Sequence, residues 1–142
     1  MTAVFARTCL PALAAVAICA AVAACGFDVA SPDLFLLHRA GQGKPLTLLV
    51  NDGGTIRCNG GKAKSLPDPL LLDARDLAKE LNTDAQNKTH IAPSRNSAFF
   101  YTVTLQDGTI TFSDTAARGH PELARAQLFA VQAAQGPCGL PG

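Results

Sequence analysis

The chain beyond residue 33 begins with short apolar runs separated by turns rich in glycine and proline. Residues 34–39 and 46–50 are mostly apolar, and the segment AGQGKP at 40–45 separates them. A third run, TIRC at 55–58, follows the tight-turn sequence NDGG. Runs of this length around such turns predict three consecutive antiparallel strands. The first run is apolar enough that we expect it to be largely buried.

From residue 67 onward the pattern takes the period of a helix. Pro67-Asp68-Pro69 predicts the start, with Asp68 as the N-cap and Pro69 at the first helical position. Apolar residues then recur every three or four positions, which predicts one buried stripe. That stripe consists of Leu70, Ala74, Leu77, Ala78, Leu81 and Ala85.

Residues 98–113 predict a second hairpin. The run at 98–105 alternates, and the turn QDG joins it to a shorter alternating run at 109–113. We expect one face of the longer strand to be buried. That face carries Phe99, Tyr101, Val103 and Leu105.

A second helix is predicted to begin at residues 120–122 and to stop at Gly136-Pro137. Its expected buried face consists of Ala124, Leu128, Val131 and Ala134, flanked by Leu123 and Phe129. The element order is then β-β-β-α-β-β-α. This order predicts an α+β fold in which two helices pack on one face of an antiparallel sheet of about five strands.

The N-terminal segment has the features of a secretory signal. Arg7 is the only charge in the first 27 residues, and it precedes an apolar run of 15 residues at 10–24. That run is shorter than the roughly 20 residues of a membrane-spanning helix. A cationic start, a short apolar segment and small residues at its end predict a removable signal peptide over 1–24.

The last residues of that segment, Val22-Ala23-Ala24-Cys25, resemble the lipobox of bacterial lipoproteins. The resemblance implies cleavage after Ala24 and thioether attachment of a diacylglyceryl group to Cys25. Residues 25–33 would then be the lipidated cysteine with a short tether, and 34–142 a single α+β domain. This predicts a lipid-anchored protein on the extracytoplasmic face of the cell membrane. The alternative is an ordinary signal peptide cut at an Ala-x-Ala site.

The other cysteines suggest a disulfide. Cys9 and Cys19 lie in the signal peptide, which leaves Cys58 and Cys138, 80 residues apart, in a domain that we expect to be exported. Thiols in such compartments are oxidised, so the pair predicts a Cys58–Cys138 disulfide. Free thiols or a metal site are the alternatives, but no CxxC or HxxxH spacing supports a metal site.

Charge and motifs exclude several function classes. Without residues 1–24 the chain has 118 residues, with 11 Lys and Arg (Arg7 is lost from 12) against 11 Asp and Glu. A net charge of zero does not favour nucleic acid as a partner. The three histidines, His38, His90 and His120, are scattered, and no GxSxG, HExxH or Walker motif occurs. We therefore expect no enzyme activity, no cofactor and no metal site.

The segment QNKTHIAPSRNS at 86–97 is the longest irregular stretch beyond the signal peptide. It is polar and basic, and long loops often bind partners. We expect it to be an interaction loop, with Lys88, His90 and Arg95 as candidate residues. The 40–45 turn is the second candidate surface, and an envelope protein or a wall component is the expected partner. The oligomeric state stays open.

The layout also carries a resemblance to known families. The segment KPLTLLVNDGGTIRCNG at 44–60, the helix at 70–81, the strand at 99–105 and the His120-Pro121 helix are together similar to uncharacterised small lipoproteins of high-GC Gram-positive bacteria. Their order also resembles the emfourin-like inhibitors of metalloproteases. This second resemblance implies a protease inhibitor as the alternative function. The cysteine pair and the anchor depart from that family, and no inhibitory residue carries over. An envelope enzyme is the third possibility.

Overall fold

The computed structural model describes residues 33–141. Six strands form one antiparallel sheet in the order β4-β3-β2-β1-β5-β6, with two α-helices and one short 3₁₀ helix. The strands are β1 (Asp33–Gly41), β2 (Leu46–Asn51), β3 (Thr55–Cys58), β4 (Ala63–Ser65), β5 (Phe99–Leu105) and β6 (Gly108–Ser113). The helices are α1 (Asp68–Gln86), the 3₁₀ helix Asp114–Arg118 and α2 (Pro121–Gln135).

The predicted α+β class, element order and helix-on-sheet packing are confirmed, and the sheet gains one strand. β4 lies between the predicted third strand and the predicted first helix, where the sequence predicted no strand, and it pairs with β3. Its three residues are all exposed, so no apolar alternation marks it in the sequence. Asn59 and Gly60 fold the chain back between the two strands, each with a positive φ.

Helix α1 has the predicted buried stripe but a different first residue. Ala74, Leu77, Leu81 and Ala85 are buried, as predicted. Asp68 was wrongly predicted to be the N-cap, because Pro67 occupies that position and no side chain caps the helix. Asp68 instead lies in the first turn, where its charge is favourable against the helix dipole.

In helix α2, Leu123, Phe129 and Ala134 are buried as predicted, but the rest of the buried face differs from the prediction. Leu128 is 56% exposed, whereas Phe129 is fully buried and packs edge-on against Phe35 at 5.4 Å between ring centroids. Ala124 and Val131 are only partly buried. The buried side chains are Leu123, Ala126, Phe129, Ala130, Ala133 and Ala134. Small alanines let the helix lie close to the sheet, and burying the aromatic ring outweighs burying Leu128.

Both helices cover the same face of the sheet. In β1, Phe35 and Leu37 point into the core, whereas Leu36 is only partly buried and His38 is exposed. The expectation that the first strand is largely buried holds for one face, since every second side chain is fully buried and those between are partly buried or exposed. The outer face of the sheet has no helix on it within the described part of the chain, and Phe100 there is 42% exposed.

Helix α1 crosses the strands at the end of the sheet where β1 begins. Arg75, near the middle of α1, donates to Asp52 in the β2–β3 turn, and the last residues of the helix contact the β5–β6 turn. Gly108 permits this second contact, because a Cβ there would lie 2.6 Å from the Ala85 carbonyl oxygen. Neither helix within residues 33–141 has the combined length and apolarity needed to span a membrane.

Candidate functional site

The predicted disulfide between Cys58 and Cys138 is present. It joins the end of β3 to the segment that follows α2, with 5.8 Å between the two Cα atoms. Lys64 of β4 adds a hydrogen bond from its Nζ to the Cys138 carbonyl oxygen at 3.0 Å. The C-terminal end of the chain is thus tied to the β3–β4 side of the sheet.

The predicted anchor lies outside the described residues. Cys25, the signal peptide over 1–24 and residues 25–32 of the tether precede the first described residue, so their assignment stays a prediction. Asp33, expected to be the last tether residue, instead begins β1 and accepts a hydrogen bond from Asn51 Nδ2 at 3.0 Å. Strand β1 therefore begins at the residue where the tether was expected to end.

The candidate loop at 86–97 is attached along the edge of β6. Gln86 still belongs to α1. The Ile91 amide donates to the Thr111 carbonyl at 3.0 Å, and His90 Nδ1 contacts the Thr111 hydroxyl. Thr111 N in turn donates to the Thr89 carbonyl at 3.4 Å. This segment shields an edge strand that would otherwise expose unpaired backbone groups.

A cluster of hydroxyl groups fixes the second half of the loop. Ser94 and Ser97 bracket a turn, with the Ser97 amide donating to the Ser94 carbonyl at 3.1 Å. Both serine hydroxyls reach Thr115 Oγ1, at 3.2 and 3.1 Å, and the Ser113 hydroxyl lies 2.8 Å from the same atom. Arg95 is exposed at the tip of this turn.

The three candidate loop residues are exposed but do not form one group. Lys88 follows the end of α1 with a φ of 53°, His90 lies on β6 and Arg95 lies on the Ser94–Ser97 turn. No hydrogen bond or ion pair within residues 33–141 joins these side chains. A serine pair three residues apart is a sequence signal for such a turn, but the role of Thr115 has no local signal.

A buried polar corner lies beneath this loop. Asp114 Oδ2 accepts a hydrogen bond from the Ala98 amide at 3.0 Å, and the Arg39 guanidinium carbon lies 5.0 Å from the centroid of the Phe99 ring. Burial raises the pKa of the neighbouring Tyr101, and the positive charge of Arg39 opposes that shift. Arg39 Nε and Asp114 Oδ1 are buried without a hydrogen-bond partner among residues 33–141. Sequence reasoning did not identify this corner.

A groove of about 710 Å³ opens on the outer face of the sheet. Leu36, His38, Lys44 and Thr47 line it together with Asn59. His38 Nδ1 lies 3.0 Å from the Thr47 hydroxyl, and Asn59 Oδ1 accepts the Thr47 amide at 2.8 Å. The groove includes part of the 40–45 turn, which was the second predicted surface.

The cleft between α1 and α2 is occupied by paired charges. Arg125 donates to Glu80 and Asp73, each at 2.7 Å, and the hydrogen bond that Asp73 accepts raises the pKa of Arg125. Burial, followed by repulsion from Glu122, raises the pKa of Asp84. Because these contacts join the two helices, the cluster is explained by packing. Among residues 33–141, no group of three His, Cys, Asp or Glu side chains is arranged to hold a metal ion.

Comparison with protein-family models, with curated proteins and with solved structures finds no match for this chain.

Proposed function

We propose that this chain is a lipoprotein that is anchored through Cys25 and carries a non-enzymatic binding domain on the extracytoplasmic face of the membrane. The observation that carries the proposal is the sequence Val22-Ala23-Ala24-Cys25 at the end of a short apolar run. Two acyl chains give stable membrane attachment, whereas one chain is marginal. The Cys58–Cys138 disulfide supports an exported protein, because disulfides persist in oxidising compartments.

The short tether would keep the domain close to the bilayer. Seven residues separate Cys25 from Asp33, where β1 begins, so eight Cα–Cα steps join the two. A fully extended segment of that length spans at most about 27 Å, roughly the diameter of a small domain. A partner of this protein would therefore be bound near the membrane surface.

The binding role is supported by the attachment of the loop at 86–97. Its backbone bonds to β6, and its Ser94–Ser97 turn bonds to Thr115, while Arg95 remains exposed. A loop that is ordered before binding loses less conformational entropy when a partner binds. An envelope protein or a wall component is the proposed partner, and no cofactor is required.

Acyl labelling tests the anchor. Cells that express the full chain are grown with an alkyne-bearing fatty acid, and the purified protein is assayed for the label. Cys25→Ser should abolish labelling and release the protein from membranes or leave it unprocessed. Cys19→Ser is the matched control and should label normally, because Cys19 lies in the removed signal. A label that persists in Cys25→Ser contradicts the anchor.

A protease inhibitor is the second candidate function. The observation that favours it is the exposed Ser94–Ser97 turn, because a rigid loop enters a protease cleft without being readily cut. The full-length chain in nonionic detergent should then slow a secreted metalloprotease or serine protease, and Arg95→Ala should weaken the effect. Unchanged turnover across a panel of both classes would remove this candidate.

A further inference from the structure

The two ends of the sheet differ in their charged side chains, since one carries carboxylates beside Arg75 and Lys79 of α1 and the other carries exposed cations. The acidic end is defined by Asp33, Asp52 and Asp107, which lie at the start of β1, in the β2–β3 turn and in the β5–β6 turn. All three carboxylates are bonded within the fold. Asp33 accepts from Asn51, Asp52 accepts from Arg75 at 2.7 Å, and Asp107 accepts from two amide side chains of α1.

The basic end is defined by Lys44, Lys62 and Arg95. These residues lie in the β1–β2 turn, in the β3–β4 turn and in the segment that leads into β5. All three side chains are exposed, and none has an ion pair or hydrogen bond to residues 33–141. The nearby carboxylate of Asp114 is bonded to the Ala98 amide. The charges of the basic end are therefore available to a partner.

The strand order spreads these cations into a row. Lys62 lies at the β4–β3 pair and Lys44 at the β2–β1 pair, whereas Arg95 precedes the β5–β6 pair. Neighbouring strands are about 4.8 Å apart, so successive cations are about 10 Å apart across roughly 20 Å. A single phosphate would require cations that converge on one point. A row of this kind matches a linear chain of negative charges.

We infer that the basic end binds a linear polyanion with phosphodiester or carboxylate groups along its length, such as an anionic polymer of the cell envelope. That the polyanion belongs to the cell envelope rests on the proposed anchor. The match between the row of cations and a linear polyanion does not depend on the anchor. The groove beside Lys44 adds the side chain of Leu36 and the hydroxyl of Thr47 to the same surface.

The bilayer is the other anionic surface, and attachment at Asp33 does not favour it as the occupant. The tether joins at Asp33, which lies at the opposite end of β1 from the basic end. A strand of nine residues separates the two ends by about 26 Å. Charge attraction is screened beyond about 8 Å at physiological salt. Attachment at the acidic end therefore does not itself bring the basic end to the bilayer, and titration with phosphatidylglycerol vesicles distinguishes the two anionic surfaces.

Binding to long-chain inorganic polyphosphate tests this inference. The full-length chain in nonionic detergent is titrated by calorimetry at about 50 and 200 mM salt. The variant Lys44→Glu with Lys62→Glu should weaken binding about tenfold. It should also make the slope of log affinity against log salt concentration shallower by about one to two. The matched control, Lys79→Glu, reverses one exposed charge beside Asp33 at the acidic end and is compared with Lys44→Glu alone. It should stay within about twofold of the unchanged chain.

Four outcomes would overturn the inference. They are no binding by the unchanged chain, equal weakening by Lys44→Glu and Lys79→Glu, binding of inorganic phosphate as tight as that of the polymer, and tighter binding to phosphatidylglycerol vesicles than to polyphosphate. The assay needs no anchor, and none of the variants alters Cys25 or the loop at 86–97. Its failure is therefore distinguishable from failure of the proposed function, which acyl labelling tests.

Discussion

The acidic and basic ends of the sheet are held together by different means. At the acidic end, side-chain hydrogen bonds join the turns to α1, and the carboxylates of Asp52 and Asp107 supply the acceptors. At the basic end, the Cys58–Cys138 disulfide and the Ser94–Ser97 turn hold the structure. The carboxylates of the acidic end are bonded within the fold, whereas the cations of the basic end have no such bond among residues 33–141. This difference marks the basic end as the side of the molecule that is available for recognition.

The largest predicted effect is the loss of the covalent link near the basic end. Cys58→Ala with Cys138→Ala reopens a loop of 80 residues. Chain entropy then predicts a loss of about 4 kcal/mol in the free energy of unfolding, measured by urea denaturation. Cys25→Ser is the control and should not change it. A loss below about 1 kcal/mol would mean that the disulfide does not hold this end.

At the acidic end, removing one carboxylate should have a moderate effect. Asp107→Ala deletes the acceptor for the Asn82 and Gln86 side chains of α1. Because these bonds are exposed, we expect a loss of about 1 kcal/mol in the free energy of unfolding. Gln106→Ala, at the neighbouring exposed position, should change it by less than about 0.5 kcal/mol. Equal effects would show that Asp107 has no structural role.

At the basic end, reversing two charges should leave stability unchanged. Lys44→Glu with Lys62→Glu removes exposed side chains that have no bond to the rest of residues 33–141. The predicted change in the free energy of unfolding is below about 0.5 kcal/mol. Urea denaturation of this variant beside Asp107→Ala tests the contrast between the ends directly. A loss above 1 kcal/mol would mean that these lysines stabilise the fold.

The last prediction concerns the pH dependence of the free energy of unfolding. The pKa of Asp84 is raised by burial and by Glu122, so the folded state binds its proton more tightly than the unfolded state does. The free energy of unfolding therefore falls as pH rises from the pKa of Asp84 in the unfolded state to its raised pKa in the folded state. Asp84→Asn should increase the free energy of unfolding at pH 7, by less than about 0.5 kcal/mol for so exposed a group. At a pH below both pKa values the variant and the unchanged chain should agree.

Most of the strands and α1 could be predicted from the sequence because their patterns are local. The face of α2 could not, because Ala124 with Leu128 and Ala126 with Phe129 both follow a helical period. The contact between Phe129 and Phe35 decides between them, and it joins residues far apart in the chain. β4 lacked any apolar alternation, and only its pairing with β3 makes it a strand.

The disulfide pair followed from counting cysteines, but the basic end could not be found by counting charges. Positive and negative residues cancel beyond residue 24, so net charge gave no sign of a cationic surface. Lys44, Lys62 and Arg95 are separated in sequence, and only the strand order brings them to one end. The hydroxyl cluster at Thr115 was missed for the same reason, since its members come from two segments.

Site-specific photo-crosslinking in the native envelope tests the central claim most directly. A photoreactive amino acid replaces Lys44 at the basic end in one strain, and Gln106 in the β5–β6 turn of the acidic end in another. We expect position 106 to form adducts with membrane lipid. We expect position 44 to form adducts with an anionic polymer and none with lipid. Lipid adducts from position 44 would contradict the claim.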